Sequence, residues 1–455
     1  MSLYDDMVQN RMILAEQTEL PAEYRIVDLE ALRQQIYAQD HELQARSKQY
    51  GSLQANMSIS MRDVQSHLGD GDIAIEFVSF AHNEDSVMYA ALTLKKGYEA
   101  PRLVPLFEQK ALSVIRPKTY YKTDRLYNLV WAPLADELQG IDRVYFAPTG
   151  QLHNINIEVL PLVVRQDDTR SYYRLSSTRE LTRTYIDNVA SADTAVIYGG
   201  LRYEVEDKGD QGAGLQTVGT LRLLSGWDYL PGTLDEAQSI AQALRKARVN
   251  TLLLTGVAGT EASLRAQSGT RRQLLHVATH GFYYSGEDVS AHHQDDHLAG
   301  RMQREQNRVE AEDKMLTRSG LLMAGCGPAL HGQDVASGED DGILYAHEIA
   351  QLRLEGVEHV TLSACETALG DISGEGVFGL QRAFKKAGVR SMLMSLWKVD
   401  DAATRLFMTR FYSNLYGQHM TKAQSLREAQ RYLRLMPEYA DPVYWAGFVL
   451  LDGLE

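Results

Sequence analysis

Two short apolar runs each end in a side chain able to move a proton or attack a carbonyl: LLHVATHG delivers His280, and HVTLSACETALG delivers Cys365. An imidazole and a thiol together suit nucleophilic acyl transfer, in which the base activates the thiol or holds its thiolate and then protonates the leaving amine. Their separation of 85 residues (365 − 280) is too long for a local metal motif and suits neighbouring strands of one sheet. In an open parallel sheet, chemistry gathers at the carboxyl ends of the strands, where diverging loops leave a crevice. Gly281 follows the histidine without a side chain to obstruct its N–H, and that amide with the amide of Cys365 could stabilise an oxyanion. Either residue alone would read as a small buried thiol or a satisfied loop histidine. Their joint placement at successive strand ends predicts a cysteine peptidase. His276, inside the strand, is the weaker partner because its side chain would lie on a sheet face.

The elements that must position this pair alternate regularly after about residue 190. The strand DTAVIYGG comes first, followed by an aperiodic polar stretch, YEVEDKGDQGAG. Thr233 with Glu236 then reads as a capping box for the helix LDEAQSIAQALRKA, and NTLLL is the next strand. Thr260 can cap TEASLRAQ before the strand QLLHVAT, and Asp341 can cap ILYAHEIAQL before HVTLSA. A helix around VFGLQRAFKKA stops at Gly388, and the strand VRSMLMSLW leads to helices near 402–416 and 422–435, the second opened by Thr421 with Gln424. Strands joined by crossover helices predict a mostly parallel sheet with helices on both faces. Upstream, residues 26–47 form an amphipathic connector helix with Leu29, Leu32, Ile36 and Leu43 on its apolar side. DVQSHLGDGDIAIEFVSF, SVMYAALTLK and DRVYFAP then indicate a separate α/β unit.

A chain of 455 residues that is 44% hydrophobic can bury two or three cores. No apolar run reaches about 18 residues, and the start MSLYDDMVQN lacks a basic segment and an apolar stretch of signal length, so a cytoplasmic protein away from membranes is expected. The Met-Ser-Leu start also fits a truncated chain. The two cysteines, Cys326 and Cys365, exclude a disulfide framework or a four-thiolate zinc site and fit a reducing compartment. A net charge of −14, from 46 basic and 60 acidic residues, opposes direct nucleic-acid binding.

The segments LLHVATHGF, DGILYAHEIAQLRLEGVEHVTLSACETALGDISGEGVFGLQRAFKKAGVRSMLMSLWKVDDAAT and DPVYWAGFVLLDG resemble the CHAT domain, a bacterial branch of the caspase- and separase-like cysteine peptidases of clan CD. The resemblance is strong over about 190–455. WAPLADELQGIDRVYFAPTGQLHNINIEVLP is similar to the first part of such domains, which in separase-like enzymes is an inactive caspase-like half. It implies an α/β, caspase-like, mostly parallel sheet at 191–455, a pseudo-caspase-like α/β unit at 56–190 and a helical connector at 1–55. The family's dyad maps onto His280 in THG and Cys365 in SACET. Trp397, Asp400 and Asp401 match positions that border the first specificity pocket, where two carboxylates would attract a basic side chain. Asp400 or Asp401 can equally cap the helix AATRLFMTRFYSNLY, and relatives also cut after apolar residues. The resemblance further implies an endopeptidase acting on specific protein partners in bacterial defence or cell death, including a pore-forming effector, with upstream or separate tetratricopeptide repeats as regulators. No cofactor or metal is needed for that chemistry. The competing reading is a catalytically silent scaffold on the same fold.

Other motifs read as decoys or as surface. Gly374, Gly376 and Gly379 match G-x-G-x-x-G with Asp400 beyond them, but ETALGDIS separates them from the strand end that a dinucleotide site requires. They are expected to form a loop beside the nucleophile. The polar insertion 285–315 carries His292, His293, His297, Asp295 and Asp296 without a scaffold for a metal, and Arg301, Arg304 and Arg308 as a candidate self-cleavage site. Tyr283 and Tyr284 read as packing residues.

Overall fold

The computed structural model describes residues 10, 13–14, 27–46, 58–83, 86–165, 170–183, 194–204, 227, 229–284, 298, 316–333, 340–363, 371–373 and 376–454. The chain divides into two units, Met1–His67 with Leu181–Arg183, and Leu68–Glu180 with Thr184–Glu455. In the first, α1 (Leu29–Arg46) is opened by Asp28, whose Oδ1 accepts the Glu30 N–H at 2.9 Å. Leu32 is buried and Leu29 and Ile36 are half-buried, which is the apolar side that the 3.6-residue spacing predicts. α2 (Met61–Ser66) starts with a reciprocal capping box between Ser60 and Asp63.

The second unit is built on one eleven-stranded sheet, in the order β3-β2-β1-β4-β5-β16-β15-β12-β8-β6-β7. Its amino-terminal strands are β1 (Asp72–Asn83), β2 (Ser86–Leu94), β3 (Arg102–Glu108), β4 (Arg143–Ala147) and β5 (Ser171–Arg174). Its carboxyl-terminal strands are β6 (Thr194–Leu201), β7 (Asn250–Gly256), β8 (Leu274–Ala278), β12 (His359–Ser363), β15 (Ser391–Ser395) and β16 (Phe448–Leu451). Neighbours pair in parallel except at β1–β2, β2–β3 and β15–β16. The sheet is thus mostly parallel, and residues from both 56–190 and 191–455 contribute to it. β5 joins the halves through the pairing of Arg174 with Leu451.

Helices cover both faces because the strands alternate apolar residues toward each. Ala195, Ile197, Leu274 and Leu393 face a core shared with α4 (Pro231–Lys246), α8 (Asp401–Tyr412) and α9 (Lys422–Arg434). Their sequence neighbours Val196, Leu275, Val277 and Met392 face the opposite core, with α5 (Glu261–Arg265), α6 (Ala346–Ile349) and α7 (Leu380–Lys386). A third core packs β1, β2 and β4 on α3 (Arg125–Val130), centred on Trp131, whose indole N–H donates to the Ile157 carbonyl at 2.8 Å. A small sheet, β9 (Gly281–Tyr283), β10 (Ser319–Leu322) and β11 (Ile343–Tyr345), follows β8, and β13 (Asp371–Ser373) pairs with β14 (Gly376–Phe378).

Two predicted caps are corrected. α4 begins at Pro231 rather than after Thr233, since proline's fixed φ suits the first helical position. Thr233 instead accepts the Gly200 N–H at 2.9 Å, and Glu236 turns inward. Asp341 accepts the Ile343 N–H ahead of strand β11, and α6 is opened by the Glu348 carboxylate accepting the Tyr345 N–H. Thr260 and the Thr421–Gln424 box cap their helices as expected.

Candidate active site

β8, β12 and β15 lie side by side with their carboxyl ends on one edge. Ser363, the last residue of β12, pairs with Ala278, the last of β8. His280 stands two residues past Ala278, and Cys365 stands two residues past Ser363 in the sequence. Residues 364–370 lie outside the described residues, Cys365 among them, as do Gly374, the metal-like histidines and the three arginines of the 285–315 insertion. Leu298, the one described residue of that insertion, is buried in the core rather than at the surface.

The backbone at His280 is fixed from two sides. The Leu322 N–H donates to the His280 carbonyl at 2.9 Å, and the Thr279 hydroxyl donates to the Leu322 carbonyl. Tyr203, just beyond β6, holds the Thr279 hydroxyl at 2.9 Å. The imidazole of His280 is 8% exposed, with its ring tilted 44° to Tyr203 at 5.2 Å and edge-on to Trp227 at 5.1 Å. Gly281 opens β9 opposite Leu321. Gly320 lets this small sheet close, because a Cβ there would sit 2.5 Å from the Phe282 ring.

A narrow cleft with about 40 Å³ of free volume opens on the same edge, walled by Thr279, Ser363, Ser395, Glu236, Lys398 and Asp401. Asp400 and Asp401 take different roles. Asp400 caps α8, its Oδ1 accepting the Ala403 N–H at 3.0 Å. Asp401 faces the cleft over Gly232, and its carboxyl is pushed up by burial and by Asp400, against the pull of Lys398; Glu236 adds to the rise and His280 opposes it. Trp397 is not part of the cleft wall. Its indole N–H donates to the Val443 carbonyl at 3.0 Å, and its ring packs on Tyr121 at 5.6 Å and against Gly447.

Glu236 carries no signal of its role in the sequence, because three residues after a threonine it mimics a cap. It is 3% exposed and lies 3.2 Å from Nε2 of His276. His276 is fully buried on the helical face of the sheet, as its place inside β8 predicts, and its Nδ1 lies 3.0 Å from the Tyr412 hydroxyl. Tyr412 in turn donates to Thr361 at 2.6 Å. The thiol Cys326 is fully buried, and burial pushes it far above the ordinary thiol range, so it is chemically quiet. Among the described residues no group of three or more His, Cys, Asp or Glu is arranged to hold a metal, and no helix is long and apolar enough to cross a membrane.

The mouse tetratricopeptide repeat protein 28 is 37% identical to this chain over 111 residues, which are 24% of this chain and 4% of that protein. The human protein of the same name is 34% identical over a stretch of the same length. The chain thus spans a small fraction of the curated relatives it matches. Among solved structures, the Arg specific cysteine proteinase gingipain R aligns with a TM-score of 0.39 and 10% identity, covering 75% of this chain and 69% of its own. The Saccharomyces cerevisiae separase–securin complex aligns with a TM-score of 0.37 and 11% identity, covering 98% of this chain and 27% of its own. The CHAT domain family model matches residues 122–453, which include the whole sheet edge just described, and the chain belongs to the CHAT domain family.

Proposed function

We propose that the protein is a cysteine endopeptidase, with Cys365 as nucleophile and His280 as its proton carrier, and with a preference for a basic residue before the scissile bond. The observation that supports this is the register of Ala278 with Ser363, which sets side by side the two strand ends that His280 and Cys365 each follow by two residues in the sequence. Cys365 attacks the carbonyl carbon, His280 protonates the departing amine, and water hydrolyses the thioester. The amides of Gly281 and Cys365 receive the oxyanion. Glu236 and Asp401 outnumber the single ammonium of Lys398 in the adjoining cleft, which favours a cationic side chain there.

Peptidyl chloromethyl ketones ending in Arg, Leu or Asp test the reading. The Arg reagent should alkylate the protein fastest, and labelling should vanish in Cys365→Ala and fall at least tenfold in His280→Ala. Equal labelling of the His280→Ala variant would remove the dyad. Faster labelling by the Leu reagent would remove the basic preference alone.

A further inference from the structure

α4 and α8 both begin at the cleft and run to a second concavity at their far ends. Gly232, Thr233 and Glu236 of α4 wall the cleft, whereas Lys246 belongs to the other site, about 20 Å along the axis at 1.5 Å per residue. Asp401 and Arg410 are divided in the same way on α8. This distal site is a groove of about 610 Å³, within the usual size of small-ligand pockets.

Its lining is one-sided in charge. Lys246, Arg248, Arg405, Arg410 and His419 supply cations or a titratable imidazole to it, and no carboxylate among the described residues lines it. None of the four permanent cations forms an ion pair with a described residue, while the chain as a whole carries −14. Arg405 and Arg410 are half-buried, and Arg410 lies over the Tyr432 ring at 5.3 Å, so these guanidinium groups are held in the wall. The Arg410 Nε is buried without a hydrogen-bond partner among the described residues. Packing like charges together without counter-charge costs free energy that an anion would offset.

The backbone supplies independent support. Left-handed φ at residues other than glycine occurs at three described positions, and two of them, Arg248 (63°) and His419 (54°), are in this groove. Arg248 closes α4 in a Schellman motif, with the Val249 N–H donating to Leu244 and its own to Arg245, each at 3.0 Å. Glycine is the usual occupant of that position, and an arginine there bears strain. Ser413, Tyr416 and Gly417 of a single π turn, Ser413–Gly417, also line the groove, and such turns concentrate at functional sites.

We infer that this groove binds a compact ligand carrying two or more linked phosphoryl groups. Guanidinium forks match phosphoryl oxygens in pairs, and the four cations gathered in one groove of this size suit a compact anion over an extended acidic chain. Free polyphosphate and a nucleotide share this chemistry. The inference stands apart from the peptidase reading, since binding is measured without cleavage.

Titration calorimetry of the whole chain with inorganic triphosphate, ATP and adenosine distinguishes the sources. Triphosphate and ATP should each bind saturably at 50 mM salt and more weakly at 200 mM, and adenosine should not bind. Arg405→Gln and Arg410→Gln should each lower triphosphate affinity at least tenfold, whereas Lys118→Gln on the exposed Pro117–Thr119 turn should not. Arg248→Gly should weaken binding while raising Tm, because glycine relieves the left-handed backbone, so unfolding cannot explain its loss of affinity. Four results would each overturn the inference: no triphosphate binding at millimolar concentration, undiminished binding in the arginine variants, equal loss in Lys118→Gln, or binding only of ATP, an oligonucleotide or an acidic peptide.

Discussion

Glu236 and His276 meet at 3.2 Å beneath the strand end that carries His280, close enough for an ion pair yet misaligned for a hydrogen bond. Tyr412 gives its proton to Thr361, so it must accept the Nδ1–H of His276. Glu236→Gln keeps the size of the side chain and should fold with less loss than the alanine variant. Glu236→Ala should cost about 3 kcal/mol, the penalty for breaking a buried pair. Chemical denaturation measures both, and an alanine variant as stable as the parent would show that the pair contributes nothing.

The two cysteines offer a clean assay of reactivity. Cys326 is fully buried with its thiol pushed up by burial, so its thiolate is scarce at neutral pH. Native protein treated with iodoacetamide should take up one equivalent, absent in Cys365→Ala, and another only in denaturant. Mass spectrometry that located the initial alkyl group on Cys326 would contradict the assignment of Cys365 as the active thiol.

The parallel sheet and the placement of His280 were legible in the sequence because both depend on local patterning: an apolar run of strand length, a glycine after it, and a capped helix between strands. The cleft wall was not. Glu236 follows Thr233 by three residues, the spacing of a capping box, and only the earlier helix start at Pro231 turns it toward His276. Asp400 and Asp401 were indistinguishable as letters; helix phase decides that Asp400 accepts the Ala403 N–H while Asp401 faces the cleft. Trp397 resembled pocket wall and is held by Val443 and Tyr121, residues far away in the chain. Long-range contacts of this kind leave no local signal.

Glu261 predicts a stability that falls as pH rises from the ordinary glutamate range to about 8. Its carboxyl is pushed up to about 8 by burial and by Glu348, with Asp340 and Asp341 adding to the rise and Arg265 opposing it. The folded state thus holds a proton that the unfolded chain releases near the ordinary glutamate value, so stability falls as pH rises from about 4.5 toward 8 and levels off above it. Glu261→Gln should flatten this slope and gain on the parent steadily between pH 5 and pH 8. Melting curves at closely spaced pH values would show it, and parallel curves for the two proteins would exclude Glu261 as the source.

Gly232 sets the room that Asp401 has in the cleft. A Cβ at residue 232 would lie 2.6 Å from the Asp401 Oδ2 and 2.7 Å from its Cβ, nearer than side chains approach, so the carboxylate must move. The Asp401 Cβ is fixed to the backbone, so the first turn of α8 must shift with the carboxylate, and Gly232→Ala should cost about 2 kcal/mol of stability. The shift takes one of the two carboxylates away from the cleft and leaves the backbone hydrogen bond between His280 and Leu322 in place. Cleavage of an Arg substrate should then drop about tenfold in kcat/KM, mostly through KM, with a Leu substrate little affected. Asp401→Asn should reproduce the effect, and Asp400→Ala should instead lower stability by about 1 kcal/mol through loss of the cap and leave the Arg preference intact. An Arg preference that survives both Gly232→Ala and Asp401→Asn would assign the selection to Glu236 alone.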